Sequence, residues 1–399
     1  MTRSLDGSPA RHATGRHGAD PHDPSPREEY LASGPSFAEG EVIERIEAFR
    51  RRRPRLRDEI VTLAHGAGGK SSAALVDAVF LEAFRNDALE SLGDGAVLTL
   101  PATATAATAT RRLAFSTDSF VVQPLRFPGG SIGHLAVHGT VNDLAMSGAV
   151  PQWISAAFVL EEGFPIAELK EIVADMATAA AAAGVQIVTG DTKVVPRGAA
   201  DGLFVTTSGV GVIPEGRAFG AGSVRPGDRL IMSGTMGDHG MAVMLARGDL
   251  AIEADIESDT AAVGGMVELL LDAAPATRWL RDPTRGGVGT VCNELAQATG
   301  LGVVLDESRL PVSPTVNGAC EMLGIDPLYV ANEGKFLAVV APDEVQDGLA
   351  ALQAHSLGAE AVEIGEITEQ PASNVVLRTA FGGTRIVDML VGDPLPRIC

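Results

Sequence analysis

The stretch PEGRAFGAGSVRPGDR at 214–229 breaks the apolar rhythm of the chain more decisively than any other. Glycine and proline at this density cannot be carried through a helix or a central strand, so the globular part divides there, with the boundary near residues 214–227. A chain of 399 residues also exceeds what one core usually holds. On both sides of the break, strands alternate with helices. RRLAFSTDSFVV, VQIVT and LFVTTSGVGVI read as strands before it, WISAAFVLEEG as a buried strand, and RLIMSG, FLAVVA and AVEIGEI as strands after it. Between them SIGHLAVHGTVNDLAMSGA reads as a helix capped by Ser131. Pro165 opens and Gly184 closes a second helix with Ile166, Leu169, Ile172, Val173 and Met176 in a stripe. An amphipathic helix over 71–84 follows a glycine loop. The fold class is therefore α/β (α+β) in two layered domains, 61–215 and 226–390.

The flanks read differently. Residues 1–60 are rich in Pro, Gly, Ser and charge and form a mostly disordered arm, with a short helix expected over 41–50. Residues 391–399, VGDPLPRIC, form a mobile tail. The start lacks the apolar core of a signal peptide and no run approaches a membrane span, so the protein is expected in the cytoplasm. The net charge is -20, and beyond residue 60 there remain 20 basic against 40 acidic residues. Such a surface repels nucleic acid and anionic membrane. Three cysteines without a Cys-x-x-Cys pair fit a reducing compartment. Cys292 and Cys320 fall in apolar helical stretches and read as core thiols; Cys399, where a chain buries little, reads as incidental or reactive.

Four short acidic turns beside apolar strands, GDGAVL, FSTDSF, TVNDLA and VTGDTK, carry Asp94, Asp118, Asn142, Asp143, Asp191 and Thr192. Oxygen donors of this kind suit Mg²⁺ shared with a nucleotide's phosphates. HGAGGKS, with Gly68, Gly69 and Lys70, is no P-loop, because Ala64 stands where its first glycine belongs; a glycine loop before a helix can still bind phosphate. Arginine is the chain's default cation, yet Lys70, Lys193 and Lys335 stand in GGKS, GDTK and NEGK. A buried lysine suits catalysis or phosphate. RDPTRGGVGT reads equally as an anion-binding turn or as a plain turn capped by Asp282, and Glu333 near Lys335 as an acid or a salt bridge. His134 and His138 have zinc-ligand spacing, but Leu135 replaces the glutamate of that motif, which argues against zinc.

Taken together, AHGAGGK, FSTDSF, HGTVNDLAMSGA, VTGDTKVV, RDPTRGGV, ANEGK and PLPRIC resemble the HypE family of hydrogenase maturation proteins, the carbamoyl dehydratases, from about residue 63 to 399. The acidic segments are shared with aminoimidazole ribonucleotide synthetase and selenophosphate synthetase; the PRIC ending is the family's own. Relatives often carry two adjacent acids where this chain has Gly93 and Asp94. The resemblance implies a homodimer whose N-terminal domains join strands in a shared β-barrel, a C-terminal α/β sandwich, and ATP with Mg²⁺ beside the barrel. It implies ATP contacts at Gly68, Gly69, Lys70, Asp118, Asn142, Asp143, Asp191 and Thr192, and metal ligands Asp94, Asp118, Asp143 and Asp191. Lys193 and Glu333 would handle protons. A carbamoyltransferase, HypF, would carbamoylate Cys399, ATP would convert that group to thiocyanate, and cyanide would pass to hydrogenase iron on a HypC–HypD scaffold. The competing readings are a related ATP-dependent kinase or synthetase and a non-catalytic thiol carrier. Pro394 and Pro396 favour an extended tail that reaches roughly 25 Å at about 3.1 Å per residue, enough for an outward and an inward position of Cys399.

Overall fold

The computed structural model describes residues 56, 58–84, 86–100, 111–248, 254–390 and 398. All fall in one compact unit, Arg53–Cys399. The helix expected over 41–50, most of the arm, and the tail except Ile398 lie outside the described residues.

The first sheet has the order β1-β2-β7-β5-β6. Its strands are β1 (Ala96–Thr99), β2 (Arg112–Phe120), β5 (Val150–Glu161), β6 (Gln186–Val195) and β7 (Leu203–Ile213). A ribbon of β3 (Arg126–Phe127) and β4 (Gly130–Ser131) leads into the helical side. Side chains alternate along β2: Ala114, Ser116 and Phe120 point inward, and Phe115, Thr117 and Ser119 outward. The inner face is covered by α2 (Ile132–Met146), with α3 (Ile166–Ala182) packed against it. The preceding helical run, α1 (70–84), opens its turns into a π segment at Val76–Leu81 and exposes Val76, Val79, Phe80 and Phe84.

Three local expectations change. Ser131 stands at the start of α2, but its hydroxyl bonds Asp175 at 2.7 Å instead of capping the helix. WISAAFVLEEG was expected to be buried, yet β5 buries only Ile154 and Ala156, because helices cover a single face of its sheet. GDTK is not a turn: β6 runs through it to Val195, held in parallel register with β5.

The second sheet has the order β14-β13-β10-β12-β8-β11-β9. Its strands are β8 (Arg229–Met232), β9 (Trp279–Arg281), β10 (Gly302–Asp306), β11 (Leu337–Val340), β12 (Val362–Thr368), β13 (Val375–Arg378) and β14 (Thr384–Val387). Every residue of β11 is buried, which explains its unbroken apolar run. Leu337 and Val339 join the cluster with α6 (Gly287–Thr299), while Ala338 and Val340 join the one with α5 (Gly264–Ala273) and α8 (Val345–Gln353). Helices therefore sandwich this sheet. Met241, Ala242 and Val243 of α4 (Asp238–Ala246) and Val316, Ala319 and Cys320 of α7 (Pro314–Leu323) share the core of the first half, which joins the two sheets.

Candidate active site

The two sheets bring their acidic residues to one place. Asp94 lies just before β1, Asp118 on β2 and Asp143 near the end of α2; Asp282 follows β9, the outer strand of the second sheet. Asp94, Asp143 and Asp282 each present a carboxylate oxygen within 4.8 Å of the other two, and no other such His, Cys, Asp or Glu cluster occurs among the described residues. Ser116 donates to Asp143, and Arg281 Nε lies 2.7 Å from Asp94. Burial, with added repulsion from neighbouring carboxylates, holds Asp94 and Asp143 well above the usual carboxylate range. It pushes Asp282 up to about 6. Three desolvated carboxyls this close need protons or a cation, and an all-oxygen donor set fits a hard divalent ion.

Asp118 stands beside this group, raised by burial and relieved by Arg285, whose Nη2 lies 3.9 Å away. Arg285 packs against the glycine loop. Gly68 has φ +80, and a Cβ there would meet Arg285 Cβ at 2.8 Å, so the loop approaches only as glycine. Gly69 caps the helix that Lys70 starts; Lys70 pairs with Asp388 at 2.9 Å.

Behind the acids lies a cluster of buried polar side chains. Glu333 is 3% exposed, and burial followed by repulsion from Asp282, Asp259 and Asp118 raises its pKa well above the usual value. Its Oε1 has no hydrogen-bond partner among the described residues and lies 3.9 Å from His239 Nε2. Lys335, also buried, reaches Asp259 at 3.7 Å. Asn142 braces this cluster: it donates to the carbonyls of Ala261 and Glu333 and accepts from Val263. With its amide committed to backbone, the Asn142 side chain acts as a strut within the chain.

Asp191, Thr192 and Lys193 do not join this constellation. They lie exposed on the outer strand β6, where Asp191 accepts from the Thr192 amide at 2.8 Å and from Lys193 at 2.5 Å. Lys193 has 67% of its side chain exposed, whereas Lys335, two residues beyond Glu333, is buried as Glu333 is. Asp282 is the member that sequence reading left open between an anion-binding turn and a cap, since the two look alike before strands are paired. His138 bonds Thr260 at 3.0 Å, and burial, then His134, pushes its pKa down to about 4. Cys292 and Cys320 are core thiols, pushed up by burial to about 12 and about 11.

A one-faced sheet joined to a helix-sandwiched sheet, with carboxylates from both at their junction, defines the two-domain enzymes related to AIR synthase. The family pattern "AIR synthase related protein, N-terminal domain" matches residues 93–213, and "AIR synthase related protein, C-terminal domain" matches 225–378. Carbamoyl dehydratase HypE of Rhodobacter capsulatus is 56% identical over 344 residues, covering 86% of this chain and 99% of its own. The crystal structure of a HypE-HypF complex matches with a TM-score of 0.73 and 45% identity over 79% of this chain and 100% of that chain. A HypE structure in complex with ATP matches with a TM-score of 0.70 and 43% identity over 85% and 100%. The chain belongs to the HypE family of carbamoyl dehydratases.

Proposed function

We propose that this chain converts a carbamoyl group carried on the Cys399 thiol into a thiocyanate at the expense of ATP, and so supplies cyanide for the iron of a NiFe hydrogenase. The observation that carries the reading is the buried Glu333 beside the acidic junction, with Ile398, the residue joined to Cys399, bonded to the His239 that faces Glu333. Identity to named carbamoyl dehydratases and the likeness to an ATP complex support it.

In this reading the thiocarbamate oxygen, a poor leaving group, is phosphorylated from ATP and departs as phosphate. The nitrogen gives up both protons and keeps a triple bond to carbon, so thiocyanate, ADP, phosphate and protons account for every atom. Glu333 receives a nitrogen-bound proton: its raised proton affinity makes its carboxylate a stronger base than an exposed one. Lys335 and Arg285 lie near the same acids, Lys335 at 3.7 Å from Asp259 and Arg285 at 3.9 Å from Asp118. Asp94, Asp143 and Asp282, with Asp118 next to them, would hold Mg²⁺, which neutralises phosphate charge when bound. Gly68 and Gly69 offer backbone near the same group, and Lys70 a cation at its rim.

The reading extends to partners. A homodimer joined along β6 would bury the exposed Ile187, Val188 and Val194. It would also be the route by which Asp191, Thr192 and Lys193 contribute to nucleotide or proton handling. HypF would load the carbamoyl group, as the likeness to a HypE-HypF complex supports, and HypC–HypD would take the cyanide, in the cytoplasm. The domains of this reading are 61–215 and 226–390. The test is the mass of the Cys399 peptide after incubation with the carbamoyltransferase and carbamoyl phosphate. Addition of ATP should remove one water from the carbamoylated peptide; loss of water without ATP, or none with it, would overturn the reading.

A further inference from the structure

One buried contact lies outside the acidic junction and the base. His239, at the second position of α4, is fully buried, and its Nε2 lies 2.6 Å from the backbone carbonyl of Ile398. A carbonyl can only accept, so Nε2 carries the hydrogen and Nδ1 must be an acceptor. The partner at Nδ1 fits: Ser258 Oγ lies 2.8 Å away and can donate, while accepting the Thr260 amide at 3.2 Å. The ring plane is fixed by Phe127, which meets it edge-on with centroids 5.6 Å apart. Burial lowers the pKa of the ring, which is therefore neutral. Ile398 is itself 6% exposed and belongs to the first half's core, together with Met241, Ala242 and Val243 of the same helix.

A segment held by one apolar anchor and one buried hydrogen bond is a latch. We propose that His239, oriented by Ser258, is a positioning residue that docks the chain through the Ile398 carbonyl and so presents the next residue, Cys399, for dehydration. The inference rests on the proposed role of Cys399. With Ile398 docked, the Nε2 hydrogen is committed to its carbonyl and Glu333 receives none from this ring. His239 touches no reacting atom; its contribution is geometry.

The test needs neither ATP nor a carbamoyl donor. Full-length protein is pulsed with iodoacetamide, and the Cys399, Cys292 and Cys320 peptides are quantified by mass spectrometry. His239→Phe keeps a ring but loses the donor, and should raise the alkylation rate of Cys399 by about five-fold, the equivalent of one ordinary hydrogen bond. His239→Gln, which restores an N–H near the Nε2 position, should return it to near the wild-type rate. Ser258→Ala frees the ring to take the other tautomer and should give an intermediate rate. The buried Cys292 and Cys320 report the fold: if their rates rise in His239→Phe, the decision passes to His239→Gln and Ser258→Ala. An unchanged Cys399 rate in a folded His239→Phe protein, or equal rates in the Phe and Gln variants, would overturn the latch. In single-turnover dehydration, His239→Phe should lower the maximal rate and leave the half-saturating ATP concentration unchanged. A wild-type protein that shows the latch in alkylation but forms no thiocyanate would refute the proposed function and leave the latch standing.

Discussion

Asp282 and Asp191 differ in their surroundings: Asp282 faces Asp94 and Asp143, while Asp191 is exposed beside Lys193. Both follow an apolar strand in a short polar motif, and local spacing gives them equal claims. Pairing decides: Asp282 leaves β9 at the junction of the sheets, while Asp191 lies inside the outer strand β6 and pairs with Lys193. Asp282→Asn should therefore weaken Mg-ATP binding, measured by calorimetry, by about 10- to 100-fold without unfolding the protein. Affinity equal to wild type would remove Asp282 from the metal set. Glu333→Gln should still accept the carbamoyl group, because the thiol is untouched, yet lose water at least about 100-fold more slowly in single turnover. Asp94, Asp118, Asp143 and Glu333 were legible as candidates because carboxylates beside apolar strands need an account. Lys335 was legible too, in NEGK; its neighbours His239 and Asp259 were not, because each belongs to a different segment and carries no motif of ligand spacing.

At the scale of elements, alternation and punctuation were readable: α2 and α3 fall where Ser131, Pro165 and Gly184 mark them. Exposure of faces was not. The apolar residues of β6 and of α1 look like core in sequence, whereas Val188, Val194, Phe80 and Phe84 are exposed in the single chain. One-dimensional periodicity shows that a stripe exists and is silent on what covers it. The NEGK loop is tighter than its sequence suggests. A Cβ on Gly334 would lie 1.8 Å from the Asp259 carbonyl oxygen and 2.9 Å from the Ala261 nitrogen, both backbone. Gly334→Ala must displace the loop that carries Glu333 and Lys335, and should cost about 3 kcal/mol or more in urea unfolding. A loss within experimental error would mean that the loop and the 259–261 segment do not meet as described.

For the whole molecule, the buried acids make stability depend on pH and on divalent ions together. Folded Asp282 keeps its proton to about 6 against an ordinary 3.8, with Asp94 and Asp143 raised as well. The folded state thus binds more protons than the unfolded one in that window, and stability falls as pH rises through it. The metal-free Tm should drop between pH 5 and 7.5, and Mg²⁺ should restore it at 7.5 while doing little at 5, because protons and metal compete for the same oxygens. An equal Mg²⁺ effect at both pH values would contradict the assignment. The central claim, that the thiocarbamate oxygen leaves as phosphate, is tested most directly with ¹⁸O. The thiol of Cys399 is carbamoylated with a group labelled at its carbonyl oxygen, ATP is added, and the released phosphate and water are analysed by mass spectrometry. The account predicts one ¹⁸O in phosphate for each thiocyanate formed; unlabelled phosphate with ¹⁸O in water would contradict it.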